Sequence, residues 1–103
     1  MNQYDVIPLI KEFIIKEFKP EKIFLFGSCA KKSIRKDSDI DICIIKDVDD
    51  KRRLRQDILE VLVDKIDFEI DIVIFSTEEW ERNSSDPGTF AGLIKSKGEQ
   101  IYG

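Results

Sequence analysis

The sequence contains no histidine. That absence removes Ser-His and Cys-His nucleophile pairs and histidine-bound zinc from the chemistry open to the chain. What remains is carboxylate chemistry with a hard cation, or Lys, Tyr, Ser or Cys acting without an imidazole. Cysteine is scarce. Cys29 and Cys43 sit among apolar neighbours and read as buried free thiols of a cytoplasmic protein, not as a disulfide framework. Long apolar runs are missing, so no membrane span is expected, and no basic-then-apolar leader opens the chain, so no signal peptide is expected either. Repeats, linkers and low-complexity stretches are absent. Basic excess is absent too: 17 Lys and Arg stand against 21 Asp and Glu, a net charge of -4. This argues against general adhesion to nucleic acid or anionic membrane, and neither is expected as a partner.

The 103 residues, 42% of them hydrophobic, suit one domain over 1–103 built on one core. Tyr4 to Phe18 reads as a helix. Ile7, Ile10, Ile14 and Phe18 recur at helical spacing, Asp5 suits the start, Pro8 is tolerable only in a first turn, and Lys19-Pro20 is a stop. Lys22 to Phe26 is apolar without alternation, as in a central strand covered on both faces. Gly27-Ser28 ends it, and Ser28 suits the cap of a short helix over Cys29 to Arg35. Asp39 to Ile45 is a second strand. Lys51 to Ile66 carries Leu54, Ile58, Val61 and Leu62 at helical spacing. Phe68 to Phe75 is a third strand, with Ile70, Ile72 and Ile74 on one face and Glu69, Asp71 and Val73 on the other. Ser76 and Glu79 form a capping-box pattern ahead of Trp80. Asp86-Pro87 opens a last helix with Phe90, Leu93 and Ile94 toward the core; Gly98 ends it, and Ile101-Tyr102 form an apolar tail. This order predicts an α/β (α+β) fold: a small mixed β-sheet of three to four strands flanked by helices. Strand order does not follow from it. The short link between the first two strands permits antiparallel neighbours or a crossover.

Three acidic residues lie in or beside apolar strands. Asp39 and Asp41 alternate with Ile40 and Ile42, so both carboxylates share one face, about 6.5–7 Å apart along the strand. Two such anions repel unless solvent or a cation separates them. A solvent-facing alternating strand is the plain alternative. Asp71 interrupts a run of Ile, Val and Phe and is expected to be at least partly buried, either paired with a cation such as Lys46 or Arg35 or itself the third ligand to a metal shared with Asp39 and Asp41. Gly27-Ser28, between strand and helix, is either ordinary turn punctuation or a seat for phosphate, since glycine admits close approach and helix N-terminal amides favour anions. Lys31, Lys32, Arg35 and Lys36 form a local positive cluster that could offset phosphate charge or simply face solvent.

Taken together, Gly27-Ser28, ten intervening residues, Asp39-Ile40-Asp41 and a later Asp71 resemble the nucleotidyltransferase superfamily related to DNA polymerase beta, with its GS-x(10)-DxD signature and later third aspartate. The fuller string GSCAKKSIRKDSDIDI resembles the minimal nucleotidyltransferase (MNT) group, which typically shows GSxARG and then SDIDL. Lys31 and Lys32 depart from that pattern where Arg and Gly are usual. The resemblance implies a catalytic and metal-binding set of Asp39, Asp41 and Asp71 holding two Mg2+ ions. It also implies a nucleotide seat at Gly27 and Ser28 with Lys31 and Arg35 nearby, and ATP as substrate. It further implies an antitoxin role in which AMP passes from ATP to a tyrosine of a HEPN-domain toxin, forming a hetero-oligomer. Two competing readings keep the fold but change the work: a non-catalytic module that masks a toxin, or a transferase acting on a small-molecule or RNA acceptor.

Overall fold

Period-two alternation in the strands sorts the apolar residues onto two faces of one sheet, and the helices divide between those faces. The computed structural model describes residues 3–27 and 39–103. Its elements are α1 (Gln3–Phe18), β1 (Lys22–Phe26), β2 (Ile40–Ile45), α2 (Lys51–Val63), β3 (Ile70–Phe75), α3 (Thr77–Asn83), α4 (Phe90–Lys97) and β4 (Glu99–Tyr102). The four-stranded sheet has the order β3-β2-β1-β4. β1 pairs antiparallel with both β2 and β4, whereas β2 and β3 are parallel. The mixed α/β fold expected from the sequence is therefore present, and the open choice after β1 resolves as antiparallel neighbours.

One face buries Ile23, Leu25, Ile40, Ile42, Ile44, Ile72 and Ile74 against α1 and α2. The helices contribute Val6, Ile7, Ile10 and Ile14, and Leu54, Ile58 and Leu62, each set recurring every three or four residues. Pro8 lies deeper in α1 than the first turn. It is tolerated because Tyr4, whose carbonyl loses its helical donor, and Pro8 itself are both exposed to water. α1 stops at Lys19, whose φ of 49° is left-handed, followed by Pro20. The opposite face buries Phe24, Cys43 and Ile45 under Trp80 of α3 and Ala91 and Ile94 of α4. Cys43 is a free, buried thiol whose pKa burial pushes up to about 12, so it is chemically quiet. Cys29 lies outside the described residues, as does the helix expected over Cys29 to Arg35.

Helix capping follows the sequence expectation at α3 and departs from it at α4. Asp50 caps α2 by accepting the Arg53 amide at 3.1 Å. Ser76 and Glu79 form the full reciprocal capping box of α3. At α4, however, Asp86 does not cap the helix. Its carboxylate accepts the Gly88 amide at 2.9 Å within a turn, and Thr89 is the cap, accepting the Gly92 amide at 3.0 Å. The later start also reassigns the buried face. Gly92 lies so close to the Asp86 backbone that a Cβ would overlap it, so Ala91, Gly92 and Ile94 pack inward while Phe90 and Leu93 stay 48% and 49% exposed. The expected apolar tail is a strand: β4 pairs along β1 and supplies the fourth member of the sheet.

Candidate active site

The acidic residues converge because β2 and β3 run parallel in one register. Asp41 lies directly beside Asp71, as Ile40 does beside Ile70 and Ile42 beside Ile72. Adjacent strands are about 4.8 Å apart, so the two carboxylates rise from neighbouring backbone positions. Both project to the face of Cys43, Ile45, Val73 and Phe75, at the strand ends that the α3–α4 layer leaves open. Asp39 precedes β2, two positions along the same side.

Asp41 is half-buried, and its pKa rises from 3.8 to about 6, first through burial, then through the charge of Asp71, then through that of Asp39. The site thus concentrates negative charge where water screens it incompletely. On the third side stands Gly27, which ends β1; Phe26 lies opposite Asp41 in the β1–β2 ladder. Gly27 has φ +67°, and a Cβ there would collide with Oδ2 of Asp41. Glycine is required twice over: by the left-handed backbone and by the carboxylate seated against it.

Asp71 differs from expectation in burial and partner. It is exposed, because β3 is an edge strand and no helix among the described residues covers this end of its face. Among the described residues its cationic neighbour is not Lys46. Lys46 Nζ donates to the Lys19 carbonyl at 3.3 Å, and Arg35 lies outside the described residues. The neighbour is Arg55 of α2, whose Nη2 lies 3.7 Å from Asp71 Oδ1 while its Nε donates to the Ile72 carbonyl at 3.0 Å. Arg55 thus closes one acceptor of an otherwise open sheet edge and leaves Asp71 only loosely paired. The sequence carried no signal for Arg55, because its role depends on β3 being at the edge. Ser28 and Lys31 also fall outside the described residues.

A divalent cation suits the donor set. Asp41, Asp71 and Asp39 offer carboxylate oxygens, which hard ions prefer, and a cation between Asp41 and Asp71 would offset the repulsion that helps raise the Asp41 pKa. Among the described residues no three His, Cys, Asp or Glu side chains already close around one point. The site is therefore an open carboxylate pair with Asp39 beside it, a form that suits an ion completing its shell with substrate phosphates and water.

The profile of the polymerase beta nucleotidyltransferase family matches residues 9–103, nearly the whole chain. The chain belongs to this nucleotidyltransferase family. Among curated proteins none matches its sequence significantly. Solved structures of similar fold include a toxin-antitoxin crystallised with AMP-PNP (TM-score 0.63, 22% identity, covering 100% of this chain and 74% of that one). A mutant of the toxin-antitoxin MntA-HpeT gives a TM-score of 0.60 and 23% identity over 100% and 73% of the two chains. A protein from Sulfolobus solfataricus described as a nucleotidyltransferase gives 0.53 and 24% over 76% and 70%. At these identities the likeness establishes the nucleotidyltransferase fold.

Proposed function

We propose that this nucleotidyltransferase is the antitoxin of a toxin–antitoxin pair and transfers AMP from ATP to a tyrosine hydroxyl of a HEPN-domain partner, with Mg2+. The observation that carries the reading is the cross-strand pair Asp41 and Asp71 with Gly27 seated against it. The MntA-HpeT and AMP-PNP neighbours support the choice of a toxin partner and an adenine nucleotide. A further neighbour of that complex has two aspartates, spaced two positions apart, replaced by glutamate; Asp39 and Asp41 have the same spacing.

In this reading Asp39, Asp41 and Asp71 are the metal-binding and catalytic residues, and Gly27 with Ser28, Lys31 and Arg35 forms the nucleotide seat. When bound, Mg2+ ions would supply Lewis-acid stabilisation of the phosphates and a lowered pKa for the attacking hydroxyl. The chain's own residues do the rest. The bare Cα of Gly27 lets a phosphate approach the backbone beside Asp41. Asp71, exposed and loosely paired, is open to an incoming hydroxyl and takes its proton as the oxygen bonds to the α-phosphorus and the bond to pyrophosphate breaks.

The test is incubation of the chain with α-labelled ATP, magnesium and its HEPN partner. Label should appear on a partner tyrosine and disappear with Asp41→Asn. Label on RNA or a small molecule instead would replace the acceptor. Full toxin neutralisation by an Asp39→Ala, Asp41→Ala double variant would replace catalysis with masking.

A further inference from the structure

A second feature adjoins the aspartate pair. A cavity of about 270 Å³ is lined by Phe26, Gly27, Phe90, Leu93, Ile94 and Lys97. It shares Gly27 with the carboxylate site, so the wall of the cavity is also the surface on which Asp41 rests. Phe90 and Leu93 are about half exposed although Ala91, Gly92 and Ile94 of the same helix are buried, and both stand on this cavity. Large apolar side chains left open around a concavity next to a charged site mark a ligand surface more than a packing fault. The Phe90 ring is not loose. It stands edge-on to Phe26 with centroids 5.6 Å apart at 88°, and it meets Phe75 at 6.3 Å and 65°. Lys97, one turn beyond Leu93, brings a cation to the same wall.

The geometry points to this cavity as the seat of the nucleobase of the nucleotide, with Phe90 and Leu93 as its contact residues and Lys97 beside them. The inference rests on the nucleotidyltransferase reading above and extends it to a named subsite. Three features choose a base as the occupant. The volume lies below the range of about 300–1,000 Å³ that holds whole drug-sized ligands, so it suits one planar ring system with ribose and phosphates outside. The wall is aromatic and aliphatic, which favours a flat π-system. Gly27 belongs both to the cavity wall and to the surface under Asp41, so a ring seated here has its phosphates beside Asp41 and the adjoining Asp71.

The test compares ATP with tripolyphosphate, each with magnesium, by titration calorimetry on the full chain. Two uncharged variants perturb the cavity in opposite senses: Phe90→Ala opens it and Leu93→Trp fills it. Thermal melts confirm that each is folded, and Leu93→Trp alters a half-exposed site, so it stands in for Phe90→Ala should the latter unfold. Each variant should lose about tenfold in ATP affinity, in line with removal of a base-stacking contact, and keep the affinity of the wild type for tripolyphosphate. Asp41→Asn should weaken both ligands. Wild-type affinity for ATP in both folded variants would overturn the assignment, as would equal wild-type affinity for ATP and tripolyphosphate. Unchanged ATP affinity with a raised KM for the tyrosine acceptor would give the cavity to the acceptor ring instead. Failure of the wild type to bind either ligand would remove the nucleotidyltransferase reading itself, and this inference with it.

Discussion

At the scale of the residue, Asp41 and Gly27 show stability given up for a site. The Asp41 pKa is raised from 3.8 to about 6, so the folded chain binds this proton more tightly than the unfolded chain does. Its contribution is fully present below about pH 4 and is lost as pH rises through 6. Asp41→Asn should therefore stabilise the metal-free protein at pH 7–8, by roughly 1 kcal/mol after allowance for partial solvent screening. Near pH 4 the gain should vanish; thermal melts at the two pH values check this, and the same variant should abolish transfer. Gly27→Ala places a methyl group on the Asp41 carboxylate at a positive φ. Left-handed backbone costs a non-glycine residue about 1–2 kcal/mol, and the displaced carboxylate should lower transfer by at least about tenfold, the scale of a misplaced catalytic group. Urea unfolding and a single-turnover assay separate the two effects. Gly27 and Asp41 were both legible as site candidates from residue type and spacing. Their mutual contact was not, because it joins the end of β1 to the start of β2 across the ladder.

At the scale of the element, caps and alternation were readable because they depend on residues a few positions apart. The box of Ser76 and Glu79 is the clearest instance. Glu79 also accepts from Lys51 of α2 at 2.7 Å, and that bond, ahead of the Ser76 amide, lowers its pKa to about 2. The stability it lends is present above pH 4.5 and is lost as pH falls toward 2. Ser76→Ala should cost about 1 kcal/mol, seen as a lower urea midpoint with an unchanged slope. The α4 start misleads a sequence reading because Asp86-Pro87 has the form of a helix opening, whereas Thr89 makes the cap. The tertiary position of Gly92 against the Asp86 backbone settles the matter and leaves Phe90 and Leu93 at the rim of a cavity. Asp71 is misjudged for a related reason: an apolar run suggests burial, but an edge strand buries only the face that a helix covers.

At the scale of the molecule, the sheet has an apolar middle and a charged end. No helix among the described residues is long and apolar enough to cross a membrane. Among the described residues the helix layers cover the sheet up to the point where Asp41 and Asp71 begin and leave the acidic end open. Magnesium should consequently act on the fold as well as on the chemistry. At pH 7.5, a concentration about a hundredfold above its dissociation constant should raise stability by about 2.7 kcal/mol. The rise in melting temperature should shrink at pH 5, where Asp41 keeps its proton, and be lost in Asp41→Asn. Calorimetric scans with and without EDTA measure it.

The sequence by itself determined which chemistry was possible. With no histidine and with aspartates set among apolar strand residues, the inventory pointed to carboxylates, a hard cation and a glycine turn, and local spacing placed the helices and the faces of the strands. Only the tertiary structure decided that β2 lies parallel to β3 so that Asp41 meets Asp71, that β3 is an edge watched by Arg55, and that residues up to Tyr102 return as a strand beside β1. The reason is range: capping and alternation are settled between neighbours in sequence, whereas strand partnership is settled by which distant apolar faces can close one core together.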